Sequence, residues 1–162
     1  MKDVSLLVIR GESSTVIEYS IALQIPEILP KCKKVIIIEH VEVFSRLLSK
    51  MNIIKEGNIE IRKVSSWCDL LNTALDLKEK NVVVILPALF RMYISDIRSF
   101  ETINKSRRFM LLVLHILKRI VKSSIIIIPW PGTKKTLIEY LADKTILVKS
   151  PNDLSLREFL HD

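Results

Sequence analysis

Basic and aromatic side chains cluster in the middle of the chain, in a pattern that suits contact with a polyanion. Between positions 81 and 122 there are eight Lys and Arg residues against two acidic ones. Lys and Arg neutralise backbone phosphates and aromatic rings stack on bases, so this combination predicts a surface that binds DNA or RNA. Its predicted members are Arg91, Tyr93, Arg98, Lys105, Arg107, Arg108, Trp130, Lys134 and Lys135. The alternative interpretation is a solvated helix face beside core aromatics.

Other residues with reactive side chains have simpler explanations. His40 stands between Glu39 and Glu42, but adjacent side chains of an extended segment point in different directions, which disfavours a metal or general-base site. The hydroxyl cluster at 13–15 falls at a predicted helix start, where capping explains it better than nucleophilic chemistry. The two cysteines are far apart and lack metal-ligand spacing. We therefore expect no metal and no cofactor.

The composition is that of one basic globular domain. The 162 residues are 49% hydrophobic and 27% charged, with a net charge of +7, and this length predicts a single domain over 1–162. His115 and Lys118 interrupt the longest apolar run before it could span a bilayer. No signal-peptide pattern follows Met1, so a cytoplasmic protein is expected. Abundant Ile and Lys with a single glutamine favour a thermophilic source.

Aliphatic runs and helical periodicities alternate along the chain. The runs predict strands at 4–9, 34–39, 58–64, 82–86, 125–128, 145–148 and 154–159. Helices are predicted from Ser13 to a stop at Pro26 and Pro30, over 41–52, from Ser66 to 78–80, between the fourth and fifth strands, and over 134–141. This alternation predicts an α/β fold, with a three-layer, mostly parallel sheet and helices on both faces.

The segment between the fourth and fifth strands is predicted to be one long helix. It is apolar around most of its circumference over 109–121. A narrow, mostly cationic stripe repeats along it every seven residues: Glu101, Arg108, His115 and Lys122. Its apolar surface exceeds what one sheet face can cover, so 94–122 is predicted to bind a protein partner or a second copy of the chain. The alternative is that the chain termini cover the helix.

The order of strands and helices along the chain can be compared with that of a known protein family. The first strand, with Gly11 and Glu12, takes the place of that family's phosphate-loop unit. The strand that ends at Glu39 takes the place of its acidic stretch, and the strand that ends at Leu86 takes the place of its Walker B strand. A long helix, a further strand and a closing strand at 142–148 complete the order. In this order the chain resembles the RecA/RadA recombinase family, particularly the short archaeal RadA paralogs. The resemblance implies a RecA-like, P-loop NTPase-like core.

The residues that hold nucleotide in that family are missing at the matching positions. A phosphate loop needs GxxxxGK[ST], because converging backbone N–H groups and a Lys must reach the phosphates. After Gly11 the chain has neither a second Gly nor a Lys, and Leu86 stands where an Asp should hold the water shell of Mg²⁺. The resemblance therefore marks a degenerate nucleotide site: Gly11, Glu12, Ser13, Ser14, Thr15, Glu39 and Leu86. No catalytic residue and no ATPase activity are expected.

These observations together predict a non-catalytic RecA-fold accessory protein. It would bind nucleic acid, a recombinase partner or both, in DNA recombination or repair. One alternative is an ATPase-dead structural subunit of a RecA-like ring, as in the Elongator accessory complex. Another is an enzyme with a divergent nucleotide site, which nucleotide-dependent thermal stabilisation would reveal.

Overall fold

A six-stranded parallel sheet forms the centre of the structure. The computed structural model describes residues 5–54, 58–96, 100–120 and 124–160. Each pair of neighbouring strands runs parallel, in the order β3-β2-β4-β5-β1-β6. The strands are β1 Leu6–Gly11, β2 Lys34–Glu39, β3 Ile59–Lys63, β4 Val82–Ile85, β5 Ile125–Pro131 and β6 Lys144–Leu147.

Helices cover both faces of this sheet. They are α1 Ser14–Ile28, α2 Val43–Lys50, α3 Trp67–Leu75, α4 Ala88–Asp96, α5 Phe100–Ile120 and α6 Leu137–Leu141. Helices α1 and α2 pack on one face with the C-terminal segment, and α3 to α6 pack on the other. The predicted three-layer α/β architecture is confirmed.

The central strands are rich in aliphatic residues because both of their faces are buried. In β2, Ile36 and Ile38 belong to the core under α3 to α6, while Val35 and Ile37 belong to the core under α1 and α2. All four side chains are completely buried. Successive strand residues point to opposite faces, so covering both faces requires apolar residues at every position.

The first helix runs past Pro26 and ends before Pro30, the second of the two prolines predicted to stop it. It continues to Ile28, and the N–H of Leu29 still bonds to the carbonyl of Ile25. A proline inside a helix removes one backbone hydrogen bond. Ile25 and Ile28 are both completely buried, so their packing against the sheet holds the last turn in place.

Strand β5 also runs further than predicted, through two prolines. The N–H of Ile126 donates to the carbonyl of Ser5 before β1, and the carbonyl of Ile127 accepts from Leu86 after β4. The backbone polar groups of successive residues in β5 thus point alternately toward β1 and toward β4. The nitrogens of Pro129 and Pro131 therefore point toward the side on which β4 has already ended. Proline lacks an N–H, but on that side no ladder bond is lost.

Several other elements differ from the sequence prediction, among them α3, which ends at Leu75 rather than at 78–80. The segment 154–159, predicted as a strand, forms no strand; it lies among 3-10 turns at Pro151–Asp153 and Arg157–Phe159. Its Leu154 and Leu156 are buried in the core under α1. The single long helix is two helices, α4 and α5, with 97–99 outside the described residues. The helices α2 and α6 are shorter than predicted, and Thr136 and Glu139 form a capping box that starts α6.

Asp143 fastens the start of β1 to the turn before β6. Its Oδ2 accepts hydrogen bonds from the backbone N–H and hydroxyl of Ser5 and from the N–H of Leu6, at 2.9, 2.7 and 2.8 Å. Lys118 of α5 lies 3.5 Å from Oδ1. Partial burial opposes ionisation, but these hydrogen bonds and Lys118 together hold the pKa of Asp143 below its ordinary value.

Asp143→Asn is expected to lower the free energy of unfolding at neutral pH by about 1–2 kcal/mol, because an amide cannot replace a carboxylate that three donors share. Since the folded-state pKa is lowered, this stabilisation is present above the pKa of the unfolded chain and is lost as pH falls through the folded value. Urea unfolding at a series of pH values should therefore show the variant and wild-type curves converging in acid. Asp76→Asn, at an exposed carboxylate, is the control; a constant difference at all pH values would contradict this role.

Candidate functional site at the carboxyl edge of the sheet

Neighbouring strands lead to opposite faces of the sheet at several places along its carboxyl edge, and two of the resulting crevices lie at the ends of β1 and β2. Strand β1 leads to α1 on one face while its neighbour β5 leads to α6 on the other, and the same divergence separates β2 and β4. Open parallel sheets bind ligands where neighbouring strands diverge in this way. In this structure, side chains close the first crevice and leave the second one open.

Arg10 closes the crevice between β1 and β5. Its side chain is only 3% exposed, and its Nε donates to the carbonyl of Gly132 at 3.1 Å. Its Nη1 donates to the hydroxyl of Thr136 at 3.1 Å and to the carboxylate of Glu139 at 3.2 Å. The N–H of Gly132 in turn donates to the carbonyl of Gly11 at 2.6 Å. The loop after β5 is thereby tied down over the end of β1.

The turn from β1 to α1 is too short to form a phosphate loop. Only Glu12 and Ser13 separate the two elements, and the Ser13 hydroxyl accepts from the N–H of Val16 at 3.3 Å as the helix cap. A Cβ on Gly11 would lie 3.0 Å from both the Ile17 side chain and the carbonyl of Val148. A phosphate loop instead wraps several consecutive N–H groups around an anion. The predicted capping role of Ser13 is confirmed.

The remaining residues of the predicted degenerate site have different environments. Ser14 begins α1, Thr15 is exposed beside the second crevice, and Leu86 is completely buried in the core. Glu39 is 1% exposed, and its Oε2 accepts from the N–H of Ser45 at 3.1 Å. Ser45 is the third residue of α2, so this buried carboxylate caps that helix from the preceding strand. Its other oxygen has no hydrogen-bond partner among the described residues.

The second crevice, between β2 and β4, is an open cavity of about 660 Å³. We call it the α1–α2 cavity. Its walls come from α1, from the loop after β2, from α2 and from the first turns of α4. Six of the side chains that line it are Glu18, Tyr19, His40, Arg46, Lys50 and Arg91. A space of this size is typical of sites for small ligands.

A buried ion pair lies at the base of the α1–α2 cavity. Arg91 Nη2 of α4 is 3.1 Å from Glu18 Oε1 of α1, and the Glu18 side chain is 6% exposed. Burial raises the pKa of Glu18, the pairing with Arg91 opposes that rise, and the nearby Glu39 carboxylate adds to it. His40 is held by the contact of its Nδ1 with the carbonyl of Val64 at 2.9 Å.

Two of the residues predicted to bind nucleic acid belong to the core instead. Trp130 is 5% exposed, and its ring lies 5.1 Å from that of Phe90 and 5.4 Å from that of Tyr93, measured between centroids. Tyr93 packs partly buried against the same cluster. The prediction that Trp130 stacks on bases is wrong for this packing, because its faces are covered by protein. A third, Arg91, lines the α1–α2 cavity.

The other predicted cations are exposed. Lys105, Arg107 and Arg108 lie on α5, and Lys134 and Lys135 lie in the loop after β5. Among the described residues, no acidic side chain pairs with the three cations of α5, while Lys135 sits 4.9 Å from the centroid of the Tyr140 ring. Arg98 lies outside the described residues. We call Lys105, Arg107, Arg108, Lys134 and Lys135 the cationic surface.

Among the described residues, α3 and α4 pack against α5. Its Met110, Val113, Leu114 and Leu117 are buried, while Leu112 is 46% exposed. Asp96 at the end of α4 accepts from the indole N–H of Trp67 at 2.7 Å and from Ser106 at 2.6 Å. Little apolar surface is left for another chain among these described side chains, and binding of a partner through 94–122 stays a prediction.

Sequence reasoning missed the α1–α2 cavity. One signal was present: Glu18 lies among the apolar positions of α1, next to Ile17 and one turn before Ala22 and Ile21. An acidic residue on a buried helix face requires a partner. The partner, Arg91, is far away in sequence, so periodicity alone could not identify it.

Two further predictions concern metals and membranes. Among residues 5–54, 58–96, 100–120 and 124–160, no group of three or more His, Cys, Asp and Glu side chains is arranged to hold a metal ion. Within the same ranges, no helix has the length and apolarity needed to cross a bilayer. Cys32 and Cys68 are both free thiols, and Cys68 is exposed.

Comparison with known proteins identifies the fold. A KaiC-like protein from the hyperthermophilic archaeon Pyrococcus horikoshii OT3 has a similar structure, with a TM-score of 0.58 over 90% of this chain and 71% of that chain. The two sequences are 16% identical. No protein-family model matches the chain, and no curated protein matches its sequence. The similarity confirms the predicted α/β, three-layer RecA-like core.

Proposed function

We propose that this protein is a non-catalytic RecA-fold protein that binds nucleic acid through the cationic surface. The observation that carries the proposal is the set of three exposed cations on one helix, Lys105, Arg107 and Arg108, without a described acidic partner. Lys134 and Lys135 follow β5 at the carboxyl edge and extend the positive charge. Such a surface suits phosphates of a nucleic-acid backbone and supplies affinity without sequence preference.

The absence of ATPase activity is part of this proposal. It is supported by the Arg10 network, which fills the crevice beside β1, and by the two-residue turn before α1. Leu86, buried after β4, offers no carboxylate for a metal ion. We expect millimolar ATP with Mg²⁺ to leave the thermal unfolding temperature unchanged, since a ligand that does not bind the native state cannot stabilise it.

We place this activity in DNA recombination or repair, beside a recombinase. The support is the resemblance of the strand and helix order to the short RadA paralogs. A change in strand exchange by a purified RadA recombinase when this protein is added would support the role. No change at saturating protein would remove the recombinase from the proposal and leave nucleic-acid binding to be tested separately.

Charge reversal on α5 tests the nucleic-acid proposal directly. The double variant Arg107→Glu, Arg108→Glu is expected to weaken binding by about tenfold or more and to reduce the slope of log affinity against log salt by about 2, because two phosphate contacts are lost. Fluorescence anisotropy with labelled single-stranded and double-stranded DNA and RNA measures both quantities.

The matched control is Lys78→Glu, Lys80→Glu, which makes the same change in net charge at exposed positions between α3 and β4. This control should bind with nearly wild-type affinity. If the two double variants lose affinity equally, the net charge of the chain and not the cationic surface governs binding, and the proposed site is wrong.

A further inference from the structure

The α1–α2 cavity is separate from the cationic surface, and its occupant does not depend on the proposed function. It lies where β2 and β4 send their chains to opposite faces of the sheet, which is the usual position of a ligand site in such folds. Its volume of about 660 Å³ lies within the range of small-molecule sites.

Apolar side chains of unusual exposure line this cavity. Tyr19 is 38% exposed, Val41 is 42% exposed and Val43 is 44% exposed. They come from two separate segments, α1 and the start of α2, yet they meet around one concave space. Large apolar groups gathered around a concavity gain free energy when a ligand with an apolar body displaces the water between them.

The acidic groups of the cavity are already committed to partners within the chain. Glu18 is held by Arg91 and is almost fully buried. Glu42 is shared between Arg46, at 3.5 Å, and Lys63. A cationic ligand would therefore have to compete with three fixed positive charges for these carboxylates.

The groups that remain available are hydrogen-bond donors. A guanidinium has five N–H donors, and Glu18 is the only described partner of the Arg91 guanidinium, which it engages through Nη2; the Arg91 side chain is 30% exposed. Lys50, exposed at the end of α2, has no partner among the described residues. Donors without acceptors, beside apolar walls, select a ligand that combines negative charge with an apolar body.

We propose that the α1–α2 cavity binds a small organic anion with an aromatic or branched apolar body. Lys50 and the remaining donors of Arg91 hold the anionic group, and Tyr19, Val41 and Val43 cover the apolar body. No covalent step is involved, so the site is one of recognition.

Three probes of one shape and different charge test the inference: phenylacetate, its neutral amide phenylacetamide, and phenylethylamine. Each is titrated into isotope-labelled full chain and followed by the chemical shifts of the backbone amides. Phenylacetate is expected to shift amides of α1 and α2 around the cavity and to bind at least about fivefold more tightly than the amide, because charge-assisted hydrogen bonds are the stronger ones. The amine should bind most weakly.

Two sets of variants separate charge from shape. Lys50→Met, and the paired change Glu18→Gln with Arg91→Met, remove donors without leaving a buried charge alone; at least one of them should reduce phenylacetate binding to the level of the amide. Tyr19→Ala should weaken both probes by a similar factor. Lys78→Met, an exposed lysine outside the cavity, should change neither.

The inference is overturned if the amine binds as tightly as phenylacetate, or if phenylacetate binds no better than the amide. It is also overturned if the shifts lie outside α1, α2 and the first turns of α4. The inference is likewise overturned if both donor variants bind phenylacetate as tightly as the wild type does. Lys50 is exposed at a helix end, so Lys50→Met should fold like wild type, and the spectrum without ligand checks this directly.

Discussion

Arg10→Ala is expected to lower the free energy of unfolding by about 3 kcal/mol, which corresponds to a fall of about 6–12 °C in the unfolding temperature of a chain of this size. The guanidinium is 3% exposed and bonds to the carbonyl of Gly132, the hydroxyl of Thr136 and the carboxylate of Glu139. Removing it leaves the Glu139 carboxylate, whose side chain is 15% exposed, without its cationic partner. A buried charge left alone costs more than the pair itself contributes.

A double-mutant cycle separates these two contributions. Arg10→Met combined with Glu139→Gln removes both charges and should recover part of the stability that Arg10→Met alone loses. Arg157→Ala, which removes an exposed arginine, should stay within about 0.5 kcal/mol of wild type. Urea unfolding followed by circular dichroism measures these variants together with Glu139→Gln alone, which completes the cycle. If Arg10→Ala is as stable as wild type, the guanidinium does not hold the crevice beside β1 closed.

Trp130→Ala is expected to cost about 3–5 kcal/mol, because it opens a cavity at the end of β5 between the rings of Phe90 and Tyr93. Trp130→Phe keeps an aromatic ring in the same core and should cost less than half as much. The folded Trp130→Phe variant should bind nucleic acid with wild-type affinity, since the ring is covered. Urea unfolding and anisotropy together measure the two properties.

Tyr140→Ala provides the matched aromatic control, because this ring is 71% exposed. It should change the free energy of unfolding by less than about 0.5 kcal/mol. A Trp130→Ala variant that keeps its stability but loses nucleic-acid affinity would show that the indole is a base-stacking group after all. The experiment therefore decides between the two roles that the sequence allows for this residue.

The sequence predicts strands well where burial on both faces makes the residue pattern unambiguous. The runs in β2 and β4 are aliphatic at nearly every position, and their ranges match the structure within one residue. Element ends are harder to predict, because they depend on distant neighbours. Pro129 looks like the end of a strand, yet β5 continues to Pro131 because β1 still pairs with it after β4 has stopped.

The candidate sites are harder to predict than the element ends, because they depend on contacts between residues that are remote in sequence. Ser13 could be predicted as a helix cap because the bond is local. The capping of α2 by Glu39 crosses a loop, and the pair of Glu18 with Arg91 joins two helices that only the sheet order brings together. For the same reason, the α1–α2 cavity has no signature in the residue spacing. Its walls come from segments as distant as α1 and α4, which are separated by three strands along the chain.

The place of β1 in the sheet also sets the order in which the chain can fold. This strand precedes the other described strands along the chain, but both of its neighbours, β5 and β6, lie in the last quarter of the sequence: Leu6 pairs with Ile126, and Val8 with Thr145. Contacts of such long separation form late, because the loop between them must close first. A strand whose residues are all buried in the folded protein therefore stays unpaired until β5 and β6 have been synthesised, and early termination of translation leaves it without a neighbour on either side.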